Sequence, residues 1–376
     1  MSSGRRYAAL AASAEAKNIP LSVTFEIIQS CNLACLHCYN FDRELLHHPD
    51  ASRTEGLSAQ EIHRVIDEVR AEGALFLAFT GGEPLSHPRL EAFVEHAARA
   101  GMFVRLKSNG TLLTAERAGN LARRGLQAAD VSVYGASAAT HDALVKREGA
   151  WERTLAGVRA ARDAGLEVRL SFVLTAANEH EAGAMTAMAQ DLRVLCRFDT
   201  HITARYDGSR SSLNLSLNAR ALERLYRGPL AEFAVATGSG TRKIACPCAR
   251  SVCGIGANGD VYPCIGAPLP AGNLRRNSFR GIWRDSPVFA RIRALRNADF
   301  PACHTCNHLA FCRRSSGVLL NNTGEFTGPA RFGADLCCTE AAIIHRLADE
   351  RASGLVLAVR REGKSPGGRD PALPPR

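Results

Sequence analysis

Short apolar runs alternate with amphipathic stretches along the first two thirds of the chain. Residues 21–28 (LSVTFEII) form one such run, of strand length. A polar loop follows over 41–57. Ser58 with Glu61 then makes a capping box, and Ile62, Val65, Ile66 and Val69 recur on one helical face. Residues 75–80 (LFLAFT) read as a second strand ending in Gly81-Gly82-Glu83-Pro84. A helix is expected over about 88–100, then a strand over 102–107 that ends in Ser108-Asn109-Gly110. Thr114 caps a further helix, and a strand over 129–134 ends in Gly135. A helix near 150–164 leads to a strand over 166–173, Asn178 with Glu181 reads as another cap-box start, and a last strand falls near 197–202.

The strand–helix unit of roughly 25–35 residues implies parallel strands joined by crossover helices. About six units fit between residues 20 and 235, which predicts an α/β fold, a partial (β/α)6 TIM-like barrel or curved open sheet. The turns that follow strand C-termini are where such folds place active sites. After residue 240 the periodicity fades, while Cys, Gly, Pro and Asn rise. A segment of that kind is expected to build little core and to need metal clusters as staples. The chain therefore divides into a leader (1–20), an α/β core (21–238), a small irregular Cys-rich cluster-binding domain (244–345), and a helix end with a disordered tail (346–376).

Composition narrows the function. Of 376 residues, 46% are hydrophobic and 22% charged, which excludes a disordered chain. No run of about 18 apolar residues exists, so no membrane partner is expected. The net charge of +10 comes from 47 basic residues, of which only Lys17, Lys107, Lys146, Lys243 and Lys364 are lysines. They are dispersed and not interleaved with aromatics, so nothing points to nucleic acid. Thirteen cysteines, an odd number without a signal peptide, argue for metal ligation in a reducing compartment, the cytoplasm.

The cysteines fall in sets. Cys31, Cys35 and Cys38 have the spacing C-x3-C-x2-C just after the first strand. Three thiolates in a tight loop can hold three irons of a four-iron cluster and leave the fourth open. A structural zinc with His37 as fourth ligand is the alternative. That spacing, followed by Gly81-Gly82-Glu83-Pro84 after the second strand, resembles the radical S-adenosylmethionine (SAM) superfamily over about residues 20–235. The resemblance implies that the open iron binds the amino and carboxylate groups of SAM. One electron, from a donor such as flavodoxin or ferredoxin, then cleaves SAM to methionine and a 5′-deoxyadenosyl radical that abstracts hydrogen from substrate.

The resemblance also implies site residues. Gly81, Gly82 and Glu83 would hold the SAM amino group, since two glycines allow close approach and a carboxylate can pair with an ammonium. His37 stands where the family has an aromatic near adenine. Ser108 and Asn109 match the strand end that meets the SAM carboxylate or ribose, and Ser132 with Tyr134 lies on the next strand end.

Cys253-x10-Cys264, with Gly259 giving G-x4-C, and Cys303-x2-Cys306-x5-Cys312 followed by Cys337 resemble the SPASM domain over about 244–345. That domain carries up to two auxiliary iron–sulfur clusters. The family's further cysteine is replaced here by Ser316. Cys246, Cys248, Cys253 and Cys264 would supply four thiols to the first auxiliary cluster. Cys303, Cys306, Cys312 and one of Cys337 or Cys338 would supply the second. Two zinc-ribbon-like sites are the alternative.

The SPASM branch implies a ribosomally made peptide as substrate. A small molecule such as a tetrapyrrole side chain is the second reading, and a non-enzymatic metal-stapled interaction protein the third. Many peptide maturases carry an N-terminal recognition domain, but only 30 residues precede Cys31, so a separate peptide-recognition protein or direct binding is expected. His201, Arg205 and Asp207, after the last strand, are the candidate catalytic acid–base groups. His47 and His48, in the loop after the first cysteine set, are candidate substrate contacts.

Overall fold

Period-two and period-3.6 patterns resolve into alternating strands and helices in the computed structural model, which describes residues 3–45, 49, 55–236, 244, 246–328 and 336–362. His47, His48 and the tail beyond residue 362 lie outside the described residues. A first helix, α1 (Ser3–Ala16), precedes β1 (Ser22–Glu26), α2 (Ala59–Ala71), β2 (Phe76–Thr80), α3 (Leu90–Arg99) and β3 (Phe103–Ser108). Then follow α4 (Ala115–Arg123), β4 (Leu126–Val133), α5 (Ala138–Val145), α6 (Ala150–Asp163), β5 (Glu167–Val173), α7 (Ala182–Asp191), β6 (Leu195–Asp199) and α8 (Ala219–Arg227). The remainder forms β7 (Val252–Ile255), β8 (Asp260–Tyr262), β9 (Gly272–Asn273), α9 (Phe279–Asp285), α10 (Pro287–Ala294), α11 (Pro301–His304), α12 (Ser316–Thr323) and α13 (Leu336–Glu362).

Strands β1 to β6 pair in parallel and in sequence order, so the chain winds the partial (β/α)6 barrel that the strand–helix unit predicts. Alternation along each strand assigns its two faces. In β3, Val104 and Leu106 are buried toward the helices, while Arg105 and Lys107 face the barrel interior. The apolar face of α2 (Ile62, Val65, Ile66, Val69) is fully buried, at about 1.5–3 kcal/mol for each such side chain. Its capping box forms as expected: Ser58 Oγ accepts from the Glu61 amide at 3.2 Å, and the Ser58 amide donates to Glu61 Oε2 at 2.7 Å. Thr114 likewise caps α4, accepting from the Arg117 amide.

Three expectations change. Residues 3–16 are a helix, not a plain leader: Tyr7 packs edge-on against Phe76 at the N-terminal end of the barrel, with ring centroids 5.6 Å apart. Asn178 does not cap α7. Its side chain is buried between strand ends, donating to the carbonyls of Tyr134 and Val173 and accepting from the Thr175 amide. The region after residue 240 does build core. Strand β7 pairs in parallel with β1, and β8 and β9 extend the sheet antiparallel to nine strands. Phe279, Trp283 and Phe289, on α9 and α10, are fully buried in the same continuous core as the barrel. Strands of four, three and two residues are too short to show a period, and aromatic side chains of about 150–250 Å² make up in area what they lack in number. No helix among the described residues is long and apolar enough to cross a membrane.

Candidate active site

The C-terminal ends of the barrel strands surround a cavity of about 400 Å³. Its wall is made by Cys31, Cys35, His37 and Cys38 after β1, Gly81–Gly82 after β2, and Ser108–Asn109 after β3. Ser132 and Tyr134 from the end of β4, and His201 from beyond β6, complete it.

The two glycines have a steric reason. Gly81 has φ +143°, and a Cβ there would meet the Ile28 carbonyl. One at Gly82 would be driven into the carbonyls of Gln29 and Ser30. The turn after β2 thus lies directly on the chain that leads into Cys31, tied by Gly82 N to Ile28 O at 2.7 Å and Glu83 N to Ser30 O at 2.9 Å. Glu83 is fully buried. It accepts from the Leu85 amide at 2.9 Å, Ser108 Oγ at 2.7 Å and the Asn109 amide at 2.8 Å. Burial pushes its carboxyl pKa up, and these donors oppose the shift. Glu83 therefore joins the second strand end to the third from behind the cavity wall, while Gly81 and Gly82 form the wall itself.

The three thiols sit in a loop where burial pushes Cys31 up to about 11 and Cys35 well above the ordinary thiol range. Cys38 and Cys31 push Cys35 further in the same direction, so the three charges act on one another. Arg43 opposes them: its Nε donates to Cys38 Sγ at 3.3 Å and Nη1 to the Gln29 carbonyl at 2.8 Å. Asn109 Nδ2 approaches Cys31 Sγ at 3.9 Å and Asn32 Oδ1 at 2.9 Å. Among the described residues no three His, Cys, Asp or Glu side chains are drawn in around a single metal ion. A four-iron cluster instead takes one thiolate at each of several corners. Three half-buried thiols opening on one cavity fit such a group, whose iron charge would favour the thiolates that burial disfavours at Cys31 and Cys35.

His37 lies against Tyr134, with ring centroids 4.2 Å apart, and both its ring nitrogens are buried without a hydrogen-bond partner. Burial, then His141 and Arg205, lowers its pKa to about 4, so the ring is neutral. Tyr134 in turn stacks on His141, whose Nδ1 accepts from the Tyr134 amide at 3.1 Å. Ser132 interacts with the Tyr134 hydroxyl.

The three acid–base candidates separate. His201 reaches the cavity, with Nε2 3.4 Å from Glu340 Oε2 on α13. Glu340 is itself held by Thr200 Oγ1 at 2.5 Å and the Tyr226 hydroxyl at 2.7 Å. Arg205 is buried away from the cavity wall. It donates to the Leu36 carbonyl at 2.9 Å, Ser209 Oγ at 3.1 Å and Ser211 Oγ at 2.5 Å. Asp207 accepts from the amides of Asp42 and Ser209 and also stays off the wall. These two therefore brace the thiol loop against the chain after β6. Sequence reasoning missed Lys107, Asp130 and Arg197, which reach the cavity from below. Their only sequence signal is charge at inward-facing positions of otherwise apolar strands.

The C-terminal cysteines form two groups. Cys248 contacts Cys246 and Cys264, Cys264 acts on Cys253, and Ser316 reaches Cys246. The hydrogen bond from Cys248, then that from Ser316, lowers Cys246 to about 6 despite burial. In the second group burial raises Cys303 and Cys306, and Cys312 and Cys338 raise both further. Cys338 acts on Cys303 and Cys306, and Cys337 and Cys338 pack together with Leu319. Cys196 lies apart, on β6.

The profile of the Radical SAM superfamily matches residues 25–188, and that of the SPASM iron–sulfur cluster-binding domain matches residues 246–307. The PqqA peptide cyclase of Streptomyces rochei is 31% identical over 76% of this chain and 81% of its own. The AdoMet-dependent heme synthase of Methanosarcina barkeri is 28% identical over 82% of this chain and 95% of its own. The mycofactocin maturase MftC of Mycobacterium tuberculosis is 28% identical over 88% and 86%. Among solved structures, Streptococcus suis SuiB bound to precursor peptide SuiA has the same fold, with a TM-score of 0.63 and 15% identity over 88% of this chain and 80% of that one. These matches, with the thiol loop and the glycine turn at one barrel mouth, make the chain an enzyme of the radical SAM superfamily, with 4Fe–4S clusters and SAM as cofactors and a C-terminal SPASM iron–sulfur cluster-binding domain.

Proposed function

We propose that this enzyme is a maturase that abstracts hydrogen from a ribosomally made peptide. The observation that carries the reading is the character of the cavity floor. Thr24, Lys107, Asp130, Ser171 and Arg197 make it polar and charged, which suits a polar or acidic peptide side chain. The peptide-acting relatives support the same choice. The heme synthase relative supports a second reading, in which the substrate is a tetrapyrrole side chain.

On this reading Cys31, Cys35 and Cys38 ligate the catalytic cluster, which with bound SAM supplies one-electron cleavage and a hydrogen-abstracting radical. Gly81 and Gly82 let the wall lie close to the ligand. His37, neutral and with unpartnered nitrogens, receives the adenine edge, and Ser108, Asn109 and Ser132 offer polar groups to SAM. Glu83, Arg205 and Asp207 hold these loops in register, and His201, backed by Glu340, is the acid–base candidate. Cys246, Cys248, Cys253 and Cys264 take one auxiliary cluster. Cys303, Cys306, Cys312 and Cys338 take the other, with Cys337 packed beside it. The radical SAM core spans 21–238 and the auxiliary domain 244–345. A flavodoxin or ferredoxin supplies electrons in the cytoplasm, and a separate protein or the cavity itself recognises the peptide.

The test is 5′-deoxyadenosine formation by anaerobically reconstituted protein plus reductant, with and without the nearest encoded short peptide. Stimulated turnover with a mass change on the peptide is expected. Cys35→Ala should abolish cleavage and Cys196→Ala should leave it near normal. Cleavage that is slow and unstimulated by peptide but accelerated by a porphyrin would overturn the peptide reading in favour of the second.

A further inference from the structure

The inward faces of β3 to β6 carry Arg105, Lys107, Arg169 and Arg197 against Asp130, Glu167 and Asp199, and Asp199, more than half exposed at the end of β6, is turned to His201, accepting from its amide at 3.0 Å. Asp130, almost fully buried on β4, accepts from Arg105 Nη1 at 2.6 Å and from Arg169 Nη2 at 3.0 Å. Glu167 at the barrel's lower rim accepts from Arg105 Nη2 at 3.1 Å. Two carboxylates therefore balance two guanidinium groups at the bottom of the barrel. Lys107 stands in register with Asp130, and Arg197, an exposed residue, stands two positions further along the sheet; both reach the cavity and the space beneath it. Neither takes part in an ion pair among the described residues. Lys107 makes no hydrogen bond there, and Arg197 spends its Nε on a neutral hydroxyl, Ser171 Oγ at 2.9 Å.

An ammonium held inside a barrel without a carboxylate is costly unless something anionic joins it. Burial lowers Lys107 to about 8, and Arg197, Arg105 and Arg169 push the same way against Asp130. From β1 and β2 the cavity is lined by Thr24 and Thr80, and the one carboxylate at the end of β1, Glu26, is buried and accepts from the Tyr39 hydroxyl at 2.9 Å. The missing partner is thus an anion that enters from the cavity. A carboxylate suits the planar fork of Arg197 together with the point charge of Lys107.

We propose that Lys107 and Arg197 form a subsite that receives a carboxylate of the substrate at the floor of the cavity. The inference rests on the reading of this cavity as the site of SAM cleavage. It names what the substrate must present, an acidic side chain or a terminal carboxylate set below the reacting carbon. The methionine carboxylate of SAM has the same chemistry, so the test separates the two sources.

With five lysines in the chain, selective 13C labelling at Cε gives one signal for each, and Lys107→Met assigns the relevant one. The probes are SAM, glutarate and its neutral isostere glutaramide, added to the full chain with its clusters oxidised. Lys107 is expected to titrate near pH 8 in the free protein and with SAM. Millimolar glutarate should raise that midpoint by about one pH unit, equivalent to tenfold tighter binding to the charged form. Glutaramide should not, and Arg197→Gln should weaken the response. A full shift with SAM alone would place the methionine carboxylate on the pair and overturn the assignment, as would no response to glutarate. Formation of 5′-deoxyadenosine in reduced aliquots tests the underlying reading separately. Cleavage without a glutarate response sinks only the subsite, and a response without cleavage leaves the subsite standing and sinks the radical reading.

Discussion

His141 is almost fully buried and has one fixed duty. Its Nδ1 accepts from the Tyr134 amide, and its ring backs the Tyr134 ring that stands against His37 at the cavity wall. Burial lowers its pKa to about 4, opposed by Asp142 and Glu152. Because the folded value lies below the unfolded value of about 6.5, the unfolded chain binds the proton first as pH falls. The stability present above pH 6.5 is therefore lost progressively down to about pH 4, at roughly 1.4 kcal/mol for each pH unit in that window. We expect His141→Asn, which keeps an acceptor but not a proton site, to remove about 1 kcal/mol of the fall between about pH 7.5 and 5.5. Thermal midpoints of both proteins at the two pH values measure this, and equal pH dependence would refute it. At this scale the cysteines were legible because thiol spacing is itself the chemistry. Lys107 and Arg197 were not. Charged residues alternating with apolar ones along a strand read equally well as a solvated face, and only the winding of the sheet turns that face inward.

Loops and turns carry the site's geometry, and here one turn controls another. Glu83, Gly81 and Gly82 look in sequence like ligand contacts. In the structure the glycines first of all admit the β1 loop against the β2 turn, and Glu83 fastens that turn to the end of β3. Gly82→Ala should thus act on the thiol loop rather than on SAM directly. Overpacking of this kind costs about 1–3 kcal/mol and would be relieved by moving residues 28–30 outward, carrying Cys31 with them. The expected outcome is loss of the SAM-responsive electron paramagnetic resonance signal, with the remaining cluster signals kept. Retention of a SAM-responsive signal in the variant would exclude this coupling. The six strands and their helices were readable from periodicity, and Ser58 and Thr114 from capping chemistry. Asn178 was misread because a buried side chain that bonds three backbone groups and one that caps a helix share one residue type and the same neighbours in sequence.

The largest-scale feature is the one that sequence periodicity hides: the Cys-rich region completes the barrel's sheet. Strand β1, first in the chain, would be an edge if β7 did not pair with it from Ser22↔Val252 to Phe25↔Ile255. The contact continues over the outside of the barrel. Trp283 donates to the Asn18 carbonyl at 2.7 Å, the Phe279 amide donates to Glu68 at 2.5 Å, and Glu72 accepts from Arg280 and Arg284. A chain cut after residue 238 would expose the β1 edge and the apolar surface now covered by Phe279, Trp283 and Phe289. An unpaired edge strand beside such a surface is a template for association. We therefore expect residues 1–238 to aggregate or to expose dye-binding apolar surface even with the first cysteine set intact. A monomeric fragment with a cooperative thermal transition would show that the sheet extension is dispensable. The same geometry ties the two ends of the chemistry together, since β7 carries Cys253 at a register position opposite Val23, on the strand that leads into Cys31, Cys35 and Cys38. Cys253 and the loop of Cys31, Cys35 and Cys38 thus grow from adjacent, hydrogen-bonded strands, so distortion of either is transmitted to the other through backbone rather than through a mobile domain boundary.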